Sequence, residues 1–160
     1  MTNVPQNPRE EACDEMLVSA AREAMNHAYA PYSRFAVGAA ARLSNGNIVT
    51  GANLENISYG LSLCAETVAI ASVNAAGSLA DIVAMAVIGG AVDKEGDDGN
   101  EPITPCGRCR QIMAEAARVA GRDFPVYCAA SDGPARALYR VSDLLPHAFS
   151  AAGLARGDSM

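Results

Sequence analysis

From Glu11 to His27, apolar positions return at helical spacing, at Met16, Ala20, Ala24 and His27/Ala28. They predict a helix with one buried face, which Pro31 brings to an end. The period then changes. "FAVGAAARL" and "IVTGANL" flank Asn45-Gly46, a short-range turn signal, and predict a β-hairpin. Helical character resumes from Cys64 to Ala76, with Gly77 as its C-terminal cap. "DIVAMAVIG" is continuously apolar, the pattern of a strand buried on both faces. A second short helix is expected from Cys106 to Val119, stopping near Gly121. "FPVYCAA" and "ARALYRV" predict two further strands around the turn "SDGP", and "SDLLPHAF" a short terminal helix or turn. The sum is a sheet of about five short strands with interleaved helices, an α/β or α/β/α layered domain. Residues 11–150 form that domain, with loose tails at 1–10 and 151–160.

Composition narrows the picture. A chain of 160 residues can bury a core without covalent staples. Half of it is hydrophobic, but Ala and Gly supply much of that and Trp is absent, so the core must be built from small and aliphatic side chains. The net charge is −6 and no basic stripe is visible, which argues against a nucleic-acid partner and for an uncharged small molecule. Much of the excess sits in "DKEGDDGNE", Asp93 to Glu101. Asp93, Glu95 and Asp97 imitate the start of a calcium-binding EF-hand loop, but Asp98 stands where that loop needs Gly, and no helix pair flanks it. A solvated surface loop is the expectation there.

The N-terminal "MTNVPQNPREEACDEM" has no apolar core of a secretory signal, and the longest apolar run, Ile82 to Val92, is too short for a membrane span. The five cysteines, at 13, 64, 106, 109 and 128, are an odd number. Together these features predict a cytoplasmic protein without a membrane partner, its thiols reduced or bound to metal.

"TPCGRCRQ", Thr104 to Gln111, holds the chemistry. A redox dithiol there would leave a third cysteine without a role and lacks the Trp of thioredoxin-like sites. Zinc fits better: Cys106 and Cys109, three apart at a helix start, can reach one ion, and the helix terminus favours thiolate. The third ligand is open among Cys13, His27, Cys64, Cys128 and His147. Cys64 stands out because it too opens a helix and is followed by Glu66, a carboxylate able to approach the metal without binding it. The competing arrangement is a closed four-cysteine structural site with Cys128 as the fourth ligand, although Cys128 lies in an expected strand where buried cysteines are ordinary. Zinc nucleobase deaminases carry H-x-E…P-C-x-x-C, with an all-cysteine variant. "CAE" and "PCGRC" match that variant.

At these residues the chain resembles the homotetrameric cytidine deaminases. "PYSRFAVGAA", "GANLENISYGLSLCAE", "PCGRCRQ" and "DLLPHAF" resemble that family in its order, from about Glu11 to Phe149. The resemblance implies a three-layer α/β/α cytidine deaminase-like fold with a mixed sheet. It implies Zn²⁺ held by Cys64, Cys106 and Cys109, with Glu66 as the proton shuttle. Asn53 and Glu55 match the pair that binds the ribose 3′-hydroxyl, and Phe35 the aromatic against the pyrimidine. The backbone of Ala65 matches a contact to the base, and Phe149 an aromatic lent to a neighbouring subunit.

The implied activity is zinc-dependent hydrolysis of cytidine or deoxycytidine to uridine or deoxyuridine and ammonia, in pyrimidine salvage, by a homotetramer. One position departs from the family pattern: arginine usually follows "CAE", and Thr67 stands here. The related blasticidin S deaminases also lack that arginine, so a modified or N4-substituted cytosine nucleoside is an alternative substrate. A non-catalytic zinc-stabilised scaffold that binds a nucleoside is the alternative of another class, and a polynucleotide deaminase is disfavoured by charge.

Overall fold

The computed structural model describes residues 8–93 and 99–151, with side chains from Glu15 onward. Residues 1–7 and 152–160 of the expected tails lie outside the described residues, as does the centre of the acidic loop, 94–98, whereas residues 8–10, expected as tail, open the first helix. The elements run α1 (Pro8–Met25), β1 (Phe35–Leu43), β2 (Ile48–Ala52), α2 (Ala65–Ala75), β3 (Ile82–Ala91), α3 (Gly107–Ala120), β4 (Pro125–Ala130), β5 (Arg136–Arg140) and α4 (Val141–Leu144). The sheet order is β2-β1-β3-β4-β5. Only β3 and β4 pair in parallel; the other three neighbours are antiparallel. The chain therefore has the expected α/β fold with a mixed five-stranded sheet.

Side-chain parity divides the sheet into two packed faces. Ala39, Ala41, Met85, Val87, Val126 and Cys128 point to the face covered by α2, α3 and α4. Ala40, Ala84, Ala86, Ile88, Tyr127 and Ala129 point to the face covered by α1. Helices on both faces bury β3 almost throughout, which explains its unbroken apolar run. The hairpin forms as expected, closed by Gly46 N–H to the Leu43 carbonyl at 2.9 Å and Leu43 N–H to the Asn47 carbonyl at 2.8 Å.

The first helix differs from expectation. It ends at Met25, before His27, and its buried face is Leu17, Val18, Ala21 and Ala24, while Met16 is 60% exposed. The apolar stripe is thus turned from the one expected. In an alanine-rich helix several faces have similar apolar content, and contact with Ala40, Ala86 and Ile88 of the sheet selects among them.

Two glycines let helices approach the hairpin. A Cβ on Gly38 would overlap the Ala21 carbonyl of α1 and lie 2.5 Å from Met25 N. A Cβ on Gly51 would lie 2.5 Å from both the Ala65 carbonyl oxygen and Ala69 N. Neither position tolerates a side chain without moving helix backbone. Gly51 seats the first turn of α2 against β2 and so fixes where Cys64 and Glu66 emerge.

Candidate active site

Two helix N-termini converge beside the sheet. Cys64 is the N-cap of α2 and Cys106 the N-cap of α3. An N-cap side chain ordinarily accepts a hydrogen bond from its own first turn. Neither cysteine does so here, which leaves both sulfurs directed to other partners. Cys109, in the first turn of α3, is fully buried and completes the group.

The three sulfurs lie within 4.8 Å of one another, and the Cys64 and Cys106 Sγ atoms are 3.8 Å apart. Tetrahedral ligands about 2.3 Å from zinc stand about 3.8 Å apart, so the spacing fits that ion. Cys128 is buried in β4 and is not part of the cluster, and its thiol is pushed up to about 12 chiefly by burial. The side chain of Cys13 lies outside the described residues. His27 and His147 are exposed and stand apart from the cluster. Among the described residues the donor set is three thiols, as read from "CAE" and "PCGRC", without a fourth cysteine.

The electrostatics also call for a cation. Burial raises the Cys64 and Cys109 thiols, with the Cys106 charge adding to the first and the Glu66 charge to the second. Burial opposes ionisation of Cys106 too, but hydrogen bonds from the Cys109 backbone N–H and the neighbouring thiols outweigh it and lower its pKa. Glu66, only 4% exposed, is raised by burial against a partial offset from its own backbone N–H and the Cys109 thiol. Four acidic groups this close cannot all ionise without a positive charge among them.

A cleft of about 440 Å³ opens beside the cluster, within the range of small-molecule sites. Cys64, Cys106, Ala65 and Glu66 line it, with Phe35, Val37, Leu63 and Ile103 as apolar walls. Asn53, Glu55, Ser62 and Thr104 add polar groups. No arginine, lysine or histidine is among these lining residues.

Asn53 and Glu55 each have a second task. The Asn53 amide bridges β1, accepting from Val37 N–H at 2.8 Å and donating to the Phe35 carbonyl at 2.9 Å. It thereby holds the backbone of a residue that lines the cleft, while its amide keeps one N–H for a ligand. Glu55 Oε2 accepts from the N–H groups of Tyr32 (2.8 Å) and Ser33 (3.2 Å), closing the turn before β1. The Ser33 hydroxyl, followed by these backbone donors, holds the Glu55 carboxyl below its usual range. Arg34 ends this turn at φ 55°, an uncommon backbone for a side-chain-bearing residue, and is paired with Asp93.

A neighbouring cleft of about 370 Å³ shares Glu55 and Ser62 with the first and adds Tyr32, Ser33 and Tyr59. The two tyrosine rings meet edge to face at 5.8 Å.

The structure gathers eight of the expected site residues, Phe35, Asn53, Glu55, Cys64, Ala65, Glu66, Cys106 and Cys109, around one cleft. Phe149 is not among the residues lining it and is 79% exposed. Its backbone is clamped by Gln111, whose amide donates to the Phe149 carbonyl at 2.8 Å and accepts its N–H at 3.1 Å. Val37, Ser62, Leu63, Ile103 and Thr104 line the cleft without having been given a role in the sequence; for all but Val37, adjacency to "CAE" or "PCGRC" was the available signal.

Residues 11–121 match the family described as "Cytidine and deoxycytidylate deaminase zinc-binding region". The chain is 42% identical over 137 residues to a cytidine deaminase of Halalkalibacterium halodurans, covering 86% of this chain and 94% of the relative. It is 40% identical over 141 residues to a cytidine deaminase of Mycobacterium tuberculosis, covering 88% and 92%. A crystal structure of cytidine deaminase from Burkholderia pseudomallei superposes with a TM-score of 0.72 at 39% identity, covering 84% of this chain and 98% of that one.

Proposed function

Because the chain belongs to the cytidine deaminase family, a family of zinc-dependent hydrolases, we propose that it acts on a free cytosine nucleoside, cytidine or deoxycytidine. Water replaces the 4-amino group, giving uridine or deoxyuridine and ammonia. The observation that carries this reading is three sulfurs within 4.8 Å of one another with a buried, separate carboxyl, Glu66, beside them on one cleft. A closed structural site would have a fourth protein ligand, and none joins the cluster among the described residues.

Cys64, Cys106 and Cys109 hold the metal. When bound, zinc supplies a Lewis acid that lowers the pKa of a coordinated water to about 7. Glu66 is the proton carrier. Its carboxylate takes a proton from the attacking water and delivers it to ring N3 as the C4–O bond forms. It then moves the second proton of that water to the amino nitrogen, which leaves as ammonia when the C4–N bond breaks. A carrier must alternate between two protonation states, and burial raises the Glu66 pKa towards that use.

Phe35 packs against the pyrimidine and the Ala65 backbone meets its edge. The free N–H of Asn53 and the second oxygen of Glu55 bind the sugar 3′-hydroxyl. Among the described residues the cleft is lined by two carboxylates and no basic side chain, which favours a nucleoside over its phosphate.

In this reading the enzyme is a cytoplasmic homotetramer in pyrimidine salvage, and Phe149 serves a neighbouring subunit's cleft. The support is exposure: besides Phe149, Ile57, Tyr59 and Leu61 are 72%, 71% and 66% exposed, an apolar stretch suited to a second copy. Ammonia release from cytidine, deoxycytidine, their 5′-monophosphates and an N4-substituted analogue tests the substrate. The unphosphorylated nucleosides should be turned over much faster than the monophosphates. Release only from the N4-substituted compound would move the reading to a modified nucleoside. Sedimentation equilibrium tests the assembly, and a monomer would remove the role given to Phe149.

A further inference from the structure

Three thiolates bring one more negative charge than Zn²⁺ neutralises, and Glu66 adds another when ionised. Such a site needs donors aimed at its sulfurs, or the metal loses Lewis acidity to electron-rich ligands. The two arginines beside the cluster are committed to oxygen. Arg110 donates to the Pro105 carbonyl at 2.7 Å, the Leu144 carbonyl at 3.1 Å and the Thr104 hydroxyl at 3.0 Å. Arg108 reaches the Ser62 carbonyl at 3.4 Å.

Apart from the Glu66 carboxyl, which brings negative charge, the side chain that faces a ligand sulfur among the described residues is neutral. Thr67 Oγ1 lies 3.7 Å from Cys109 Sγ. Cys109 is the ligand with 0% exposure, so water cannot serve its sulfur as it can serve the exposed Cys106. Thr67 is also free to turn its hydroxyl outward. It sits in the first turn of α2, and the carbonyl four residues back, on Leu63, already accepts the Leu54 N–H at 2.9 Å.

We propose that Thr67 is a positioning residue for the metal, donating its hydroxyl hydrogen to the Cys109 thiolate and drawing electron density off that sulfur. The contact joins α2 to α3 across 42 positions of sequence, so it also sets the separation of the two helix N-termini that carry the ligands. The proposal rests on the reading that these three thiolates hold zinc.

The test uses full-length protein reconstituted with zinc or with Co²⁺, whose thiolate-to-metal charge-transfer band reports electron density on sulfur. Thr67→Val keeps the shape and removes the donor; Thr67→Ser keeps the donor and removes a methyl; Thr67→Ala removes both and serves if the valine variant folds poorly. The band should move to lower energy in the Val and Ala variants and stay in place in Ser. Competition with a chromogenic chelator should show zinc affinity lowered about tenfold in Val and Ala, and within about twofold of wild type in Ser. A packing role predicts the opposite order, with Ser worse than Val. A band unmoved in Val and Ala, or moved equally in Ser, overturns the proposal. Wild-type protein with no charge-transfer band at all would instead overturn the three-thiolate reading beneath it.

Discussion

The two ends of the cleft are built in different ways. At the metal end, Cys64, Glu66, Cys106 and Cys109 ride on the first turns of two helices packed against the sheet, and their side chains make almost no bonds that hold the fold. At the sugar end, Asn53 and Glu55 sit in loops, and each spends half of its hydrogen-bonding capacity on the backbone of the turn and strand around Phe35. The metal end can therefore devote its polar groups to chemistry because helix packing does the positioning. The sugar end positions itself with the same atoms that would bind substrate. Substitutions should separate chemistry from stability at the first end and mix them at the second.

The largest effect is expected from Cys106→Ala. Removing one of three ligands leaves too few for a stable site, so zinc content measured by elemental analysis should fall to near zero and activity with it. Retained stoichiometric zinc would mean that another residue closes the site and would dissolve the contrast between the two ends.

Asn53→Ala should act on both properties at once. It removes the two bonds that bridge Phe35 and Val37, together with the sugar contact proposed above. KM should rise, and each lost bond should cost about 1 kcal/mol of stability, measurable by urea unfolding. A raised KM with unchanged stability would show that the bridge contributes nothing to the fold.

The smallest effect should appear at Glu55, and only over part of the pH range. Its folded pKa is lowered from an ordinary 4.5, so its contribution to stability is full above that value and fades as pH falls through the lower, folded pKa. Melting temperatures of wild type and Glu55→Gln should therefore differ by a constant amount at neutral pH and converge in acid. A gap that widened on acidification would have the wrong sign for a carboxylate held by donors.

The same contrast explains what could be read from the sequence. The metal end was legible because its chemistry demands particular residue types at fixed local spacing, "CAE" and "C-x-x-C", each at a helix start. Strand positions followed from β-competent runs and the Asn45-Gly46 turn, and the length of β3 from its unbroken apolar stretch. The stripe buried by α1 was misread because, among so many alanines, only contact with the sheet distinguishes Leu17 from Met16. The second tasks of Asn53 and Glu55 were invisible for a different reason. They are bonds to backbone groups 16 to 23 positions away, and a backbone N–H has no sequence signature. The Gln111 clamp on the Phe149 backbone was hidden in the same way, and the side-chain contact of Thr67 with Cys109 by its separation of 42 positions.

The central claim is that Glu66 moves protons beside a metal it does not bind. Glu66→Gln tests it most directly, because the amide keeps the shape and cannot carry the proton. Zinc content should match wild type, and turnover of cytidine should fall by about 10²–10⁴-fold. Wild-type turnover in that variant, or loss of its zinc, would contradict the claim.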